Sequence, residues 1–288
     1  MAAVATAAVA FSWGFTIVKA ITLAGPALSM WRVTIGVVTL VIAALVLRAR
    51  WPRELRWVLI AGLAMGVHQV LYILATQQTS IAIVTLVGAV MPLLVALMAQ
   101  FFVDEKFEWS LVLWSVLAMA GIGTVVAANL SDPSRSLAGD LLAVANIVVF
   151  TAYFLAAKRA RMNGVGTLTL TASIMIVALL IVAPVAFMTG NAVVPGARDF
   201  GLICVLALGS GNGHLLVNWA HDRISATVSS LILLIVPLLA SLWAYLVHDE
   251  PFGPRHIIGI VLVAASIEGG RRSHLKALAR AAKAASAT

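Results

Sequence analysis

Long apolar runs alternate with short polar connections along the chain, and this pattern predicts helices that span a membrane. Residues 57–103 contain no Asp, Glu, Lys or Arg, and neither do residues 162–197. A spanning helix takes about 20 apolar residues, so the first run alone is long enough for two helices joined by a tight turn. With Gly, Pro and charge clusters as breaks, the sequence predicts ten helices, near residues 4–23, 27–47, 57–77, 82–102, 109–129, 138–158, 166–188, 200–220, 226–247 and 255–270.

The composition excludes an ordinary soluble enzyme. Of the 288 residues, 62% are hydrophobic and only 10% are charged, whereas soluble domains carry about 25% charged residues. Ten helices use roughly 200 positions, which leaves no room for a soluble domain. The single cysteine, Cys204, lies in an apolar run, so we expect no disulfide framework. The net charge of +8 is spread over short connections and forms no face for nucleic acid.

The basic residues predict how the chain crosses the membrane, because Lys and Arg accumulate on cytoplasmic connections. With the N-terminus inside, fourteen of the 19 basic residues fall on cytoplasmic segments. The outer ends and connections hold the other five, which are Lys19, Arg32, Arg135, Arg198 and Arg255. We therefore expect an even number of helices, ten, with both termini in the cytoplasm.

An internal repeat divides the chain into halves. A shift of 145 residues places Thr85 on Ser230, Pro92 on Pro237, and the pair Asp104-Glu105 on Asp249-Glu250. The shift spans five helices, an odd number, so the second half is expected to run upside down relative to the first. The prediction is a five-helix repeat over 1–130, an inverted five-helix repeat over 136–272 and a basic cytoplasmic tail over 273–288. In such arrangements a substrate site lies near mid-membrane at the repeat interface.

The two Asp-Glu pairs have two interpretations. Carboxylates favour a helix N-terminus, so Asp104-Glu105 and Asp249-Glu250 are expected to form polar turns that start predicted helices five and ten. A role in gating is the alternative.

Short sequence pieces in a fixed order carry a family resemblance. The pieces are Ser12-Trp13-Gly14-Phe15 with Lys19, Trp31-Arg32, Met91-Pro92-Leu93 with Asp104-Glu105, Val236-Pro237-Leu238 with Asp249-Glu250, and Pro254 to Gly259. In this order and duplication they resemble the EamA-type branch of the drug/metabolite transporter superfamily, and within it the bacterial amino-acid exporters of the YddG type. The resemblance implies an all-α integral membrane protein of the bacterial inner membrane, with ten helices in two inverted repeats and no cofactor.

Predicted helices four and nine carry candidate hinges. A mid-helix proline removes one backbone hydrogen bond and pushes away the carbonyl four residues earlier, which makes Pro92, Gly88 and Pro237 candidates for bending. Thr85 and Ser230 lie on the same small-residue faces and are candidate cavity residues. Two alternatives stay open: the prolines act as kinks alone, or the freed carbonyls also contact substrate. Small-residue faces also permit close helix packing.

Polar residues at mid-membrane predict a cavity, because such groups are costly unless they face protein or water. Interhelical hydrogen bonding is the alternative for any single residue, and packing is the alternative for the tryptophan. The candidates are Trp13 and Thr16 in helix one, His68, Gln69 and Tyr72 in helix three, Asn146 and Tyr153 in helix six, and Ser210, Asn212, His214 and Asn218 in helix eight.

Two basic residues, Lys19 and Arg32, lie in the outer thirds of their predicted helices. Long basic side chains can snorkel to the interface, which is one interpretation. The other is that they attract a substrate carboxylate on the outer side.

The predicted function is export of a small molecule, most simply neutral and aromatic amino acids, by alternating access around a cavity between the repeats. Because no Asp or Glu lies at mid-membrane in the predicted helices, a carboxylate proton relay is not expected. An alternative is an exporter of drugs or other metabolites with proton coupling through His68 or His214, which can titrate near neutral pH. A membrane enzyme or scaffold ranks lower, because no catalytic pair, metal cluster or phosphate loop is found. The expected partners are the substrate and the lipid bilayer, without nucleic acid, and a monomer is compatible with the sequence.

Overall fold

The computed structural model describes residues 1–105, 107–126, 136–248 and 253–285, and these residues form thirteen helices and no strand. The helices are α1 (Ala2–Ala20), α2 (Gly25–Val46), α3 (Arg56–Gln78), α4 (Ile81–Gly88), α5 (Met91–Phe102), α6 (Trp109–Val126), α7 (Leu137–Met162), α8 (Thr167–Met188), α9 (Ala197–Leu208), α10 (Ser210–Ala220), α11 (Ala226–Ile232), α12 (Ile235–His248) and α13 (Pro254–Ala285).

Seven helical stretches in the described part of the chain are long and apolar enough to cross a membrane. Two of them, Ala197–Ala220 and Ala226–Val247, each combine two of the helices. Met91–Phe102 and Trp109–Thr124 are shorter apolar helices. The prediction of an all-helical, multi-pass membrane protein is confirmed.

Three of the ten predicted helices are broken in the structure. The fourth is split into α4 and α5, the eighth into α9 and α10, and the ninth into α11 and α12. Pro92 is the second residue of α5 and Pro237 is the third residue of α12, so each proline lies in the first turn after a break. A proline has no N–H that could continue the helical hydrogen bonds across the break. The second break lies at Gly209, whose backbone (φ −80°, ψ −82°) departs from helical geometry. The glycine break was not predicted.

The last helix is longer than predicted. The sequence predicts its end near residue 270, whereas α13 continues to Ala285. Glu268 pairs with Arg271 and Arg272 at helical spacings of three and four residues, and the alanine-rich segment that follows favours helix. The predicted basic tail is therefore helical over the residues that the structure describes.

Helices from the two halves of the chain pack on each other in corresponding pairs. Helix α3 packs along α7, and α1 packs along α10, which is the same pair of predicted helices with the halves exchanged. Helix α2 packs along α8, and α6 packs along α13. On α3, Gly62 and Gly66 let α8 approach closely, since a Cβ atom on either would lie within 3 Å of Val177 or Ile181.

The Asp104-Glu105 pair does not start the fifth helix as expected. Helix α6 begins at Trp109, while Glu105 accepts a hydrogen bond of 2.7 Å from the backbone N–H of Ala226, at the start of α11. Asp104 pairs with Arg159 at the end of α7. The carboxylates thus hold distant segments together, and the earlier interpretation is wrong for this pair. The second pair, Asp249-Glu250, lies outside the described residues.

Candidate functional site

A cavity of about 120 Å³ lies where helices from the two halves of the chain are broken. Its wall includes Gly88 and Pro92 from the first half of the chain, and Leu233, Leu234 and Pro237 from the second half. By the same measure one water needs about 10–15 Å³. The space therefore suits a small organic molecule.

Aromatic rings form much of the apolar wall. Phe11 lies 4.8 Å from His214 and Phe150 lies 4.6 Å from His68, measured between ring centroids. Phe15 packs edge-on against Tyr72 at 5.3 Å. Phe11 occupies space left by Gly213, where a Cβ atom would meet the phenyl ring at 2.6 Å. The rings offer a surface for an apolar or aromatic group.

Among the described residues that line the cavity, only Arg32 carries a formal charge. Its guanidinium donates to Gln69 Oε1 at 2.6 Å and to Ser210 Oγ at 3.0 Å. The side chain also lies 5.5 Å from the centroid of the Tyr72 ring. Only 5% of the residue is exposed, so the cation is held away from water.

Among the described residues, the partners of the positively charged Arg32 side chain are all neutral. No described carboxylate lies within ion-pair distance of it. A buried charge is costly unless it is paired and hydrogen-bonded. The amide, the hydroxyl and the phenol ring compensate part of this cost, and an anionic group in the cavity would compensate more.

A second set of polar side chains surrounds His68 and His214. His68 Nδ1 lies 2.7 Å from Asn146 Oδ1, and Tyr153 Oη lies 3.4 Å from His214 Nδ1. The Tyr153 hydroxyl also donates to Asn218 Oδ1 at 3.3 Å. These contacts hold both imidazoles in place at the cavity wall.

The structure brings most of the predicted cavity residues together and leaves others outside. Gln69 and Tyr153 lie behind the wall and contact Arg32 and His214 on it, respectively. Asn218 lies one layer further out and accepts a hydrogen bond from Tyr153. The predicted residues on the wall itself are His68, Tyr72, Thr85, Asn146, Ser210, His214 and Ser230, together with the hinge candidates Gly88, Pro92 and Pro237.

Four further predicted residues, the cavity candidates Trp13, Thr16 and Asn212 and the outer-side candidate Lys19, also do not line this cavity. Trp13 is 39% exposed and stacks on Trp243 at 4.1 Å, which agrees with the packing alternative. Thr16 is buried within the bundle, Asn212 is exposed, and Lys19 is half-buried.

Two sequence interpretations need correction or addition. Snorkelling is wrong for Arg32, because its side chain is buried and points to α3 and α10 instead of the interface. The aromatic wall residues Phe11, Phe15 and Phe150 were missed. The spacing of four between Phe11 and Phe15 places both on one helix face, and this signal is visible in the sequence.

Comparison with known proteins gives a consistent result. The sequence signature of the EamA-like transporter family matches residues 1–127 and 137–268. The "Probable terminal-alkyne amino-acid exporter" of Streptantibioticus cattleyicolor is 28% identical over 245 residues, which cover 83% of this chain and 82% of that protein. A solved crystal structure is similar over 93% of this chain and 95% of its own, with a TM-score of 0.75 and 18% sequence identity. The last likeness shows a shared fold.

Proposed function

The chain belongs to the EamA-like transporter family, and from this premise we propose that it exports neutral and aromatic amino acids across the bacterial inner membrane. The family and the exporter relative point to a membrane transporter and not to an enzyme. The proposal adds ten membrane-spanning helices with both termini in the cytoplasm. It also adds two inverted repeats, 1–130 and 136–272, that move against each other.

The observation that carries the proposal is the position of Arg32 in a cavity between the two halves of the chain. The cavity lies at breaks in corresponding helices, as substrate sites of inverted-repeat transporters do. It combines one buried cation with aromatic walls. A carboxylate and an apolar side chain are the groups that such a site favours, and the relative named as an amino-acid exporter supports this cargo.

The contacts at one end of the bundle support alternating access. Lys158, near the end of α7, donates to the backbone oxygens of His221 and Ile224 at 2.7 Å each and pairs with Glu105. This network ties segments of both halves together on the side that the basic residues assign to the cytoplasm. In the proposed mechanism it closes that side and breaks when the cavity opens there.

The competing cargo is a lipophilic cation coupled to protons through His68 or His214. The charge of the cavity speaks against it, because Arg32 repels a cation and no described Asp or Glu lines the wall. A membrane enzyme or scaffold ranks below both transport hypotheses.

Exchange in proteoliposomes tests the proposed function. Vesicles loaded with labelled tryptophan, methionine or threonine should lose label when the same amino acid is present outside, with or without a pH gradient. Loss of a lipophilic cation that needs the gradient, without amino-acid exchange, would contradict the proposal.

Cysteine labelling tests the proposed topology. In a Cys204→Ser background, a cysteine at Asn191, between α8 and α9, should react with a membrane-impermeant maleimide on intact cells. A cysteine at Ala49, between α2 and α3, should react only after permeabilisation. Equal labelling of both would contradict the topology.

A further inference from the structure

We propose that Arg32 binds the carboxylate of the transported molecule, and that the site requires this carboxylate but not the amino group. The inference rests on the proposed function and specifies the substrate class further. It predicts that analogues of an amino acid that keep the carboxylate but lack the amino group bind to the cavity. Analogues that keep the amino group but lack the carboxylate are expected not to bind.

The first argument is the unbalanced charge of the Arg32 side chain. The guanidinium donates hydrogen bonds to Gln69 and Ser210, which are both neutral. A guanidinium presents donors in a planar fork that fits the two oxygens of a carboxylate. Entry of a carboxylate therefore replaces part of the hydration that burial removed from this cation.

The second argument is that the surrounding elements hold Arg32 in place. Gln69 is 1% exposed, and its Nε2 lies 3.2 Å from Met65 Sδ, so its orientation is fixed from α3. Ser210 is the first residue of α10, at the Gly209 break. On α1, Gly14 leaves room for this arrangement, since a Cβ atom there would lie 3.0 Å from Tyr72 Oη and 3.4 Å from Ser210 Oγ. A preorganised cation loses little entropy on binding.

The third argument concerns the ammonium group of an amino acid. The polar groups of the described cavity wall other than Arg32 are neutral amides, hydroxyls and imidazoles, and no Asp or Glu is among them. Such groups can accept a hydrogen bond from an ammonium, but they do not compensate its charge. Since like charges repel more strongly in an apolar enclosure, removal of the ammonium takes a positive charge away from the surroundings of Arg32.

The remaining wall suits the side chain of the substrate. Phe11, Phe15 and Phe150 contribute rings from α1 and α7. Indole compounds are therefore suitable probes, because tryptophan, indole-3-propionate and tryptamine share one ring and differ in their charged groups.

The test is competition for tryptophan binding and exchange by the purified protein. Indole-3-propionate is expected to compete at concentrations similar to those of tryptophan, and tryptamine to need at least about tenfold more, which is the effect of one lost charge-assisted hydrogen bond. Competition by tryptamine as strong as that by indole-3-propionate would overturn the inference.

Substitutions assign the effect to Arg32. Arg32→Gln should weaken indole-3-propionate binding about tenfold or more, and Arg32→Lys should restore part of it. Arg198→Gln makes the same chemical change at an exposed arginine that does not line the cavity, and it serves as the matched control. Melting curves and size-exclusion profiles of the free proteins identify variants that have not folded. A folded Arg32→Gln protein with unchanged affinity would contradict the inference.

A binding measurement separates this inference from the proposed function. If no amino acid exchanges, the shift in melting temperature caused by each of the three indole compounds still reports binding. Stabilisation by indole-3-propionate but not by tryptamine would then support the carboxylate site, while the missing exchange would contradict amino-acid export. Absence of stabilisation by any carboxylate would overturn the carboxylate site as well.

Discussion

The Lys158 ammonium lies 3.3 Å from the Glu105 carboxylate, although the two residues belong to different halves of the chain. Their side chains are 7% and 19% exposed. Glu105 also accepts from the N–H of Ala226, so the pair connects the ends of α5 and α7 with the start of α11. Neither partner is near the other in sequence.

Removal of one partner of this pair should destabilise the protein. Glu105→Gln leaves the Lys158 charge without its counter-ion and weakens the contact to α11. The expected loss is about 1–3 kcal/mol of folding free energy. Thermal unfolding in detergent, followed by tryptophan fluorescence, should show a lower melting temperature.

A matched substitution on the surface serves as the control. Glu268→Gln makes the same chemical change in a pair with Arg271 and Arg272 that is largely exposed. Exposed ion pairs contribute little, so no measurable change is expected. Equal effects of the two substitutions would show that the Lys158–Glu105 pair does not hold the bundle together.

The glycines on α3 should tolerate no side chain. A Cβ atom at Gly62 would lie 2.5 Å from Val177 Cβ, and one at Gly66 would lie 2.8 Å from Ile181 Cβ. Because backbone oxygens of α8 also lie close to both positions, the helices must separate. Gly62→Ala and Gly66→Ala are each expected to lower the folding free energy by about 1–3 kcal/mol. Thermal unfolding in detergent should show this as a lower melting temperature.

Gly36→Ala is the control for this pair of substitutions. Gly36 lies inside α2, and nothing lies within 4 Å of a Cβ atom placed there. Alanine is the better helix former by about 0.5–1 kcal/mol, so this variant should be as stable as the parent or more so. A gain in stability at Gly62 would contradict the close approach of α3 and α8.

The sequence was sufficient to predict an all-helical membrane protein and its family. Apolar runs long enough to span a membrane alternate with short polar connections, and short motifs typical of the family follow in order along the chain. Each predicted helix corresponds to one helix or to a pair of consecutive helices in the structure. Pro92 and Pro237 also marked two of the three breaks. The third break, at Gly209, was not predicted because a glycine inside an apolar run is compatible with a continuous helix.

The side-chain partners were not predictable, because they come from distant parts of the chain. Arg32 contacts Gln69 and Ser210, and position along a helix does not tell whether a long basic side chain reaches the interface or a cavity. Glu105 was expected to act on the helix that follows it, whereas its partners Lys158 and Ala226 belong to the other half. Such contacts depend on how the halves pack.

Restoration of a continuous fourth helix should slow transport without loss of stability. Alanine in place of Pro92 supplies an N–H that can donate to the Gly88 carbonyl across the break between α4 and α5. If the break lets this segment bend during alternating access, the maximal exchange rate of Pro92→Ala should fall several-fold. Its melting temperature should stay the same or rise.

The control for this prediction is Pro184→Ala. Pro184 lies inside the continuous helix α8 and does not line the cavity. The exchange rate of this variant should remain near that of the parent. An equally slow rate in both variants would mean that proline removal affects transport through general rigidity and not through the break at the cavity.

Tryptophan exchange should not depend on a pH gradient, and substitution of the cavity histidines should leave it independent of the gradient. His68 and His214 contact an amide and a phenol, respectively, and neither pairs with a described carboxylate. The cavity already contains the Arg32 cation, so an additional proton would add a like charge within the same enclosure. His68→Gln and His214→Gln are therefore expected to exchange tryptophan equally with and without a gradient, as the parent does.

His274→Gln is the control, because His274 pairs with Glu108 at 2.8 Å and does not line the cavity. The informative measurement is the ratio of exchange rates with and without the gradient for all four proteins. A ratio well above one in the parent that falls to one only in His68→Gln or His214→Gln would assign proton coupling to that imidazole. A ratio near one in all four proteins would support export that is not coupled to protons.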